Sequence, residues 1–222
     1  MKKMLKNNSE SKGPNFIGES NEKIFKLSPY YGKILILEGV NLTYKTTLGN
    51  KMASRYGTTY ISAEWQVEHE PFQPHIGPNL VNIIPPYTGV IMEAFYHWAR
   101  IMQIFRYQTF IIDRFHISAQ FFQRKLQNMQ IDFNWLEDLL LPLDARIILC
   151  TREPRTYETL LQERLSQSNH PELYPSNAKE FAKDQDIYRK LVQQSRLKSL
   201  EVDVTDGNLE RVIRKIAQWL EK

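Results

Sequence analysis

Cysteine is almost absent. Cys150 is the only one in 222 residues, which excludes an internal disulfide framework and a metal site built from cysteines alone. It sits in the apolar run Ile147-Ile148-Leu149, so it reads as a core residue, and so few thiols suit a reducing compartment and an expected cytoplasmic location. Long apolar runs are missing too. A membrane span needs about 18 or more uncharged apolar residues in a row, and no such stretch exists. The start Met1-Lys2-Lys3-Met4-Leu5-Lys6 carries positive charge with no apolar segment behind it, so a secretory signal is not expected. Charge of one sign is not massed anywhere. The formal net charge of +4 favours anionic partners, yet Lys and Arg lie among acidic neighbours; nucleic-acid binding gains no support, and a nucleotide satisfies the same balance. No repeat of fixed period is present.

What is there suffices for a core: 42% of the residues are hydrophobic, and one domain is the natural expectation. Residues 1–28, rich in Lys, Asn, Ser, Glu and Gly, are too polar to repay ordering and read as a flexible extension ahead of a domain over 29–222. From Lys33 onward, apolar runs alternate with helix-patterned segments. Strands are expected at Lys33 to Glu38, Thr58 to Ala63, Thr109 to Ile112, Ala145 to Thr151 and Leu200 to Val204, an alternation that argues for an α/β fold with a parallel sheet covered by helices. Leu209, Val212, Ile213, Ile216 and Leu220 mark a final amphipathic helix with Asp206 or Asn208 as its cap, and a second runs from about Asn177 to Gln194. Both are read as packing helices without chemistry. Between Trp65 and Thr88 five prolines make a long irregular loop, a binding element or a surface excursion.

The chemistry starts at Gly39-Val40-Asn41-Leu42-Thr43-Tyr44-Lys45-Thr46-Thr47, between an apolar strand and a helix. The pattern G-x-x-x-x-G-K-[ST] cradles phosphates on backbone N–H groups, reaches the β and γ phosphates with its lysine, and holds magnesium with its hydroxyl. Gly39, Lys45 and Thr46 fit, with Asn41, Thr43, Tyr44 and Thr47 completing the expected nucleotide-binding set. Tyr44 stands where the second glycine belongs. Turned outward, its ring leaves the cradle open and adds an aromatic wall; turned inward, it blocks nucleotide binding.

A second signal is Asp113-Arg114, directly after Phe110-Ile111-Ile112. At the carboxyl end of a buried strand this pair enters the crevice where open α/β sheets bind ligands, the arginine suited to a phosphate and the aspartate to magnesium; a strand-end salt bridge is the plainer alternative. A third is Glu64, ending the Thr58 to Ala63 run at the same sheet edge, with Glu68 and Glu70 as rivals.

Considered jointly, these residues resemble the thymidylate kinase and deoxynucleoside kinase group of P-loop kinases, from about Lys33 to the C-terminus. The thymidylate kinase pattern Asp-Arg-Tyr-x-x-Ser-x-x-Ala-Tyr-Gln corresponds to Asp113, Arg114, Phe115, Ser118, Phe121, Phe122 and Gln123, with Phe twice for Tyr and Phe121 for Ala. The resemblance implies a three-layer P-loop kinase fold with a five-stranded parallel sheet flanked by helices, ATP as donor, and magnesium held by Thr46 and Asp113. It further implies Lys45, Glu64, Asp113, Arg114 and Arg164 in catalysis, and Glu64, Arg114 and Gln123 on the acceptor. The lid is poor in cations: after Arg164, residues 165–178 contain no Lys or Arg, which leaves Arg164, helped by Arg152, Arg155 or Lys179, to meet transition-state charge, with a surface helix salt bridge as the alternative reading of Arg164. The reaction implied is phosphorylation of a deoxynucleoside monophosphate, thymidylate first. A deoxynucleoside kinase, and a non-catalytic nucleotide-binding regulatory or scaffold protein, are the alternatives. The expected partner is a small-molecule nucleotide or nucleoside, with no nucleic acid and no membrane, and a homodimer stays open.

Overall fold

The computed structural model describes residues 32–56, 59–62, 88–167 and 177–222. The 1–28 extension, Glu64 with its rivals Glu68 and Glu70, and all of the proline-rich stretch except Thr88 lie outside the described residues.

Five strands form one sheet: β1 (Ile34–Glu38), β2 (Thr59–Ser62), β3 (Phe110–Asp113), β4 (Arg146–Thr151) and β5 (Lys198–Asp203). They are all parallel, in the order β2-β3-β1-β4-β5. Central β1 and its neighbours β3 and β4 are buried at every position, which is why their interiors are written as unbroken apolar runs rather than as alternating ones, with Glu38, Asp113, Arg146 and Thr151 at the ends. β5, at an edge, buries Val202 and exposes Lys198, Ser199, Glu201 and Asp203. This is why the strand begins two residues before the apolar signal at Leu200: an edge strand pairs its backbone without burying its side chains, and its charges blunt further pairing.

The helices are α1 (Lys45–Tyr56), α2 (Thr88–Ile104), α3 (His116–Gln127), α4 (Asn134–Leu140), α5 (Tyr157–Gln167), α6 (Ala178–Gln194) and α7 (Leu209–Leu220). They divide between the two faces of the sheet. Leu48 and Met52 of α1 join Val212, Ile213 and Ile216 of α7 against Leu35, Leu37, Ile148 and Cys150. On the other face, residues of α2 to α6, among them Phe95, Ile117, Leu136, Leu161, Phe181 and Tyr188, pack on Ile34, Ile36, Ile112 and Ile147. The α7 stripe is buried as its spacing predicts, with the Asn208 side chain accepting from Arg211 N at 3.1 Å; Asn177 caps α6 in the same way from Lys179 N at 2.8 Å. Phe95 packs edge-on against Phe115 and Phe133, so it is core, and no described helix is long and apolar enough to cross a membrane.

This arrangement positions a site. The helix after β1 packs on one face while those after β3 and β4 pack on the other, so crevices open on both sides of the loop that follows β1. Register then sets what lines them: Leu37 pairs with Asp113, and Arg114 N donates to Leu37 O at 2.9 Å, which brings the Asp113-Arg114 pair level with Glu38 and Gly39.

Candidate active site

The loop after β1 is shaped by steric necessity at its start. Gly39 has a φ of 137°, and a Cβ there would lie 2.4 Å from the Cys150 carbonyl oxygen on β4, so no side chain fits. Leu42 (φ 68°) and Tyr44 (φ 54°) both take the left-handed region, with Thr43 between them. Large side chains rarely adopt it, and the cost is tolerated where the surrounding structure over-determines the backbone. Thr43 Oγ1 and Lys45 Nζ both donate to Val40 O, each at 2.7 Å, so the loop is closed by its own side chains and the Lys45 ammonium is held at its rim. A turn of this kind at a helix N-terminus gathers N–H groups into an anion-binding concavity. Asn41 and Thr47 are exposed along it.

On the β3 side, Thr46 Oγ1 donates to Asp113 Oδ2 at 2.5 Å. A hydroxyl and a carboxylate oxygen in contact are the hard donors that magnesium selects. Arg114 is 2% exposed, and its guanidinium lies inward across the loop, donating to Gly39 O at 3.1 Å, Asn41 Oδ1 at 2.5 Å, Ser118 Oγ at 3.2 Å and Tyr188 OH at 2.9 Å. Its own φ of 64° is a further left-handed position, needed to turn the side chain back toward β1.

Beneath it lies Glu38, fully buried at the end of β1, which sequence reasoning missed. Glu38 Oε1 accepts from Phe115 N at 2.8 Å and Ser118 N at 3.3 Å, and Oε2 accepts from the Ser118 hydroxyl, so one carboxylate fastens the start of α3 to the loop. Burial pushes its pKa above the ordinary range against the pull of Ser118, His116, the Phe115 N–H and Arg114. The available signal was a charge closing an apolar strand directly before Gly39.

On the β4 side stands Arg152, weighed from the sequence only as a helper to Arg164. Its Nε donates to Leu42 O at 3.1 Å and its Nη1 to Thr205 O at 3.3 Å, while Gln185 holds its backbone from both directions, at 2.8 Å and 2.9 Å. The guanidinium carbon sits 4.8 Å from the centroid of the Tyr44 ring, and that ring also borders Gly207, whose Cβ position is 3.9 Å from Tyr44 Cε2. Tyr44 is therefore turned outward, across the loop toward β4 and β5, and is 38% exposed.

Lys45, Thr46, Asp113 and Arg114 are thus brought together with the loop. Gln123 is fully buried on α3, and Arg164 is exposed on α5, close to residues 168–176, which lie outside the described residues. The α6 segment, expected to carry no chemistry, supplies both Tyr188 to Arg114 and Gln185 to Arg152. Among the described residues around the loop, Lys45, Arg114, Arg152, Asp113 and Glu38 are the buried charged groups, each at most 5% exposed.

The structure can be set against known ones. YorR of Bacillus subtilis, solved in complex with phosphorylated GDP, superposes with a TM-score of 0.57 at 15% identity, over 85% of this chain and 95% of that one. Shikimate kinase of Acinetobacter baumannii, in complex with shikimate, gives 0.51 at 15% identity over 89% and 96%, and deoxyadenosine kinase of M. mycoides with bound dATP gives 0.50 at 15% identity over 83% and 98%. The chain has the fold of the P-loop kinases. No protein-family model matches it, and no curated protein does. Within the P-loop kinase fold the neighbours differ in the substrates their names carry, so the likeness speaks for the architecture, α/β with a parallel sheet and flanking helices, and leaves the acceptor to the site's own chemistry.

Proposed function

We propose that the chain is a phosphotransferase that moves the terminal phosphoryl group of ATP, with magnesium, to a deoxynucleoside monophosphate, thymidylate being the first candidate. The observation that carries this reading is the position of Arg114, a buried guanidinium laid across the loop beside the Thr46–Asp113 pair. An acceptor that itself bears a phosphate needs such a fixed cation next to the reacting phosphates. A bare nucleoside needs instead a general base, and the residue expected for that role, Glu64, lies outside the described residues. The joint retention of Lys45, Thr46, Asp113 and Arg114 favours a catalyst over a non-catalytic binder.

Phosphoryl transfer asks the protein mainly for positioning and charge stabilisation. Lys45 would exchange Val40 O for phosphate oxygens, a short move because its ammonium already sits at the loop rim. Magnesium binds one or two carboxylates plus phosphates and water, a demand that Thr46 and Asp113 meet, and when bound it supplies neutralisation of the phosphate charge. Arg114, held by Gly39 O, Asn41, Ser118 and Tyr188 among its acceptors, would orient the acceptor phosphate.

The test is incubation of the purified protein with ATP, magnesium and a panel of nucleosides and nucleoside monophosphates, beside Lys45→Ala. The expected product is a deoxynucleoside diphosphate, lost in the variant. Monophosphate formed from nucleosides would move the assignment to a deoxynucleoside kinase, and ATP binding without turnover of any panel member would overturn the kinase reading.

A further inference from the structure

Tyr44 places a bulky side chain at φ 54°, a backbone conformation that glycine adopts at no cost, inside a loop that needs only its N–H for phosphate. We propose that its ring is the stacking platform for the nucleobase of the phosphoryl donor, a specificity device that takes any nucleoside triphosphate and disfavours donors lacking a base. The inference rests on the phosphoryl-transfer reading above and adds where the far end of the donor lies.

The sheet order gives the direction. β3 flanks β1 on one side and delivers Asp113 and Arg114; β4 and β5 lie on the other and deliver Arg152, Thr205 and Gly207. Thr46 reaches Asp113 and Arg114 reaches Asn41, so the reacting end of the site faces β3. A triphosphate whose terminal group lies there and whose chain crosses the loop carries its nucleoside toward β4 and β5. Tyr44 is turned that way.

The ring is built to stay in place. Arg152 is 4% exposed and is fixed by Leu42 O, Thr205 O and Gln185, and its guanidinium lies 4.8 Å from the ring centroid, so a rigid cation backs the aromatic surface. The Gly207 turn borders the ring edge, and no Cβ intrudes there. With 38% of the residue still exposed, the ring has surface left for a second planar group. Stacking of a base on an aromatic side chain is tolerant of base identity because every base has a π-face. The arrangement therefore selects for the presence of a base rather than for adenine.

Equilibrium binding of MgATP, MgGTP and magnesium tripolyphosphate to the wild type, Tyr44→Phe and Tyr44→Gly tests this. The wild type is expected to bind ATP and GTP within about threefold of each other, and both at least about tenfold more tightly than tripolyphosphate. Tyr44→Phe should keep that difference. Tyr44→Gly, whose backbone is relieved at this position and so folds, should lose about tenfold for both nucleotides and nothing for tripolyphosphate. Unchanged or tighter ATP binding by Tyr44→Gly would overturn the platform while leaving the phosphate site standing, as would an equal loss on tripolyphosphate. Failure of the wild type to bind any of the three ligands would overturn the platform together with the phosphoryl-transfer reading.

Discussion

Thr46 and Asp113 lie 67 residues apart in the chain, and their side chains meet at 2.5 Å, hydroxyl to carboxylate, at the carboxyl ends of adjacent parallel strands. The contact couples the helix that follows β1 to the end of β3. It also sets a pair of hard oxygen donors at the start of the helix that follows the loop.

Replacing the aspartate tests that role directly. Asp113→Asn keeps an acceptor for the Thr46 hydroxyl and removes the charge. Turnover with ATP should fall by roughly 100-fold or more, while affinity for ATP measured without magnesium changes little. Initial rates over a magnesium titration, with metal-free binding in parallel, decide it. Equal turnover at saturating magnesium would mean that the carboxylate is structural.

Arg114 offers a different signature. Arg114→Lys retains the positive charge but replaces a planar fork with a point charge that cannot serve Gly39 O, Asn41, Ser118 and Tyr188 together. Leaving buried acceptors unmatched should cost about 2–4 kcal/mol of stability, read from urea unfolding. Below the melting temperature, KM for the acceptor should rise more than KM for ATP. An equal rise in both would assign Arg114 to the donor.

Much of this was legible in the residues, and what escaped did so for physical reasons. The buried strands declared themselves because both faces of a parallel sheet are covered, so the interiors of β1, β3 and β4 are unbroken apolar runs, with charged or polar residues only at their ends. Lys45, Thr46, Asp113 and Arg114 were readable because each stands at a strand end or helix start, where local order fixes the position. Glu38, Tyr188, Gln185 and Arg152 were hidden because their partners are 33 to 110 residues away, and nothing in a one-dimensional pattern separates a buried polar tip from its apolar stripe. Tyr188 shows the point: its ring obeys the α6 packing period while its hydroxyl serves Arg114. The direction of the Tyr44 ring depended in the same way on Arg152, delivered by a strand that pairs with β1 only in the folded chain.

Gly39 provides a stability test that needs no ligand. In Gly39→Ala the new Cβ would meet the Cys150 carbonyl at 2.4 Å, and that carbonyl is backbone of the buried strand β4, which cannot shift cheaply. A φ of 137° adds backbone strain. The loss should be about 3 kcal/mol or more, seen as a lower unfolding midpoint in urea. A variant as stable as the wild type would show that the turn out of β1 differs from the one described.

Glu137 sets the acid limb of stability. Burial pushes its pKa up, but hydrogen bonds from His116 and Ser195 and from the Arg196 backbone N–H, with the His116 charge, outweigh it and hold the carboxyl at about 2 against an ordinary 4.5. The geometry agrees: Ser195 Oγ donates at 2.5 Å, Arg196 N at 2.9 Å, and His116 Nε2 lies at 3.1 Å from a nearly buried carboxylate. Because the folded pKa is depressed, the folded state binds fewer protons than the unfolded state between the two values. The stabilisation is therefore complete above about pH 4.5 and is lost as pH falls through about 2. The drop corresponds to at most about 3 kcal/mol. Asp144, also held at about 2, titrates over the same range, but it is present in both proteins when the wild type is compared with Glu137→Gln, so its share cancels. The variant should be less stable by about 1–3 kcal/mol at pH 7, and the gap should narrow steadily in urea titrations at pH 4 and pH 3. A gap that stays constant from pH 7 to pH 3 would mean that the network acts through shape rather than through the Glu137 charge.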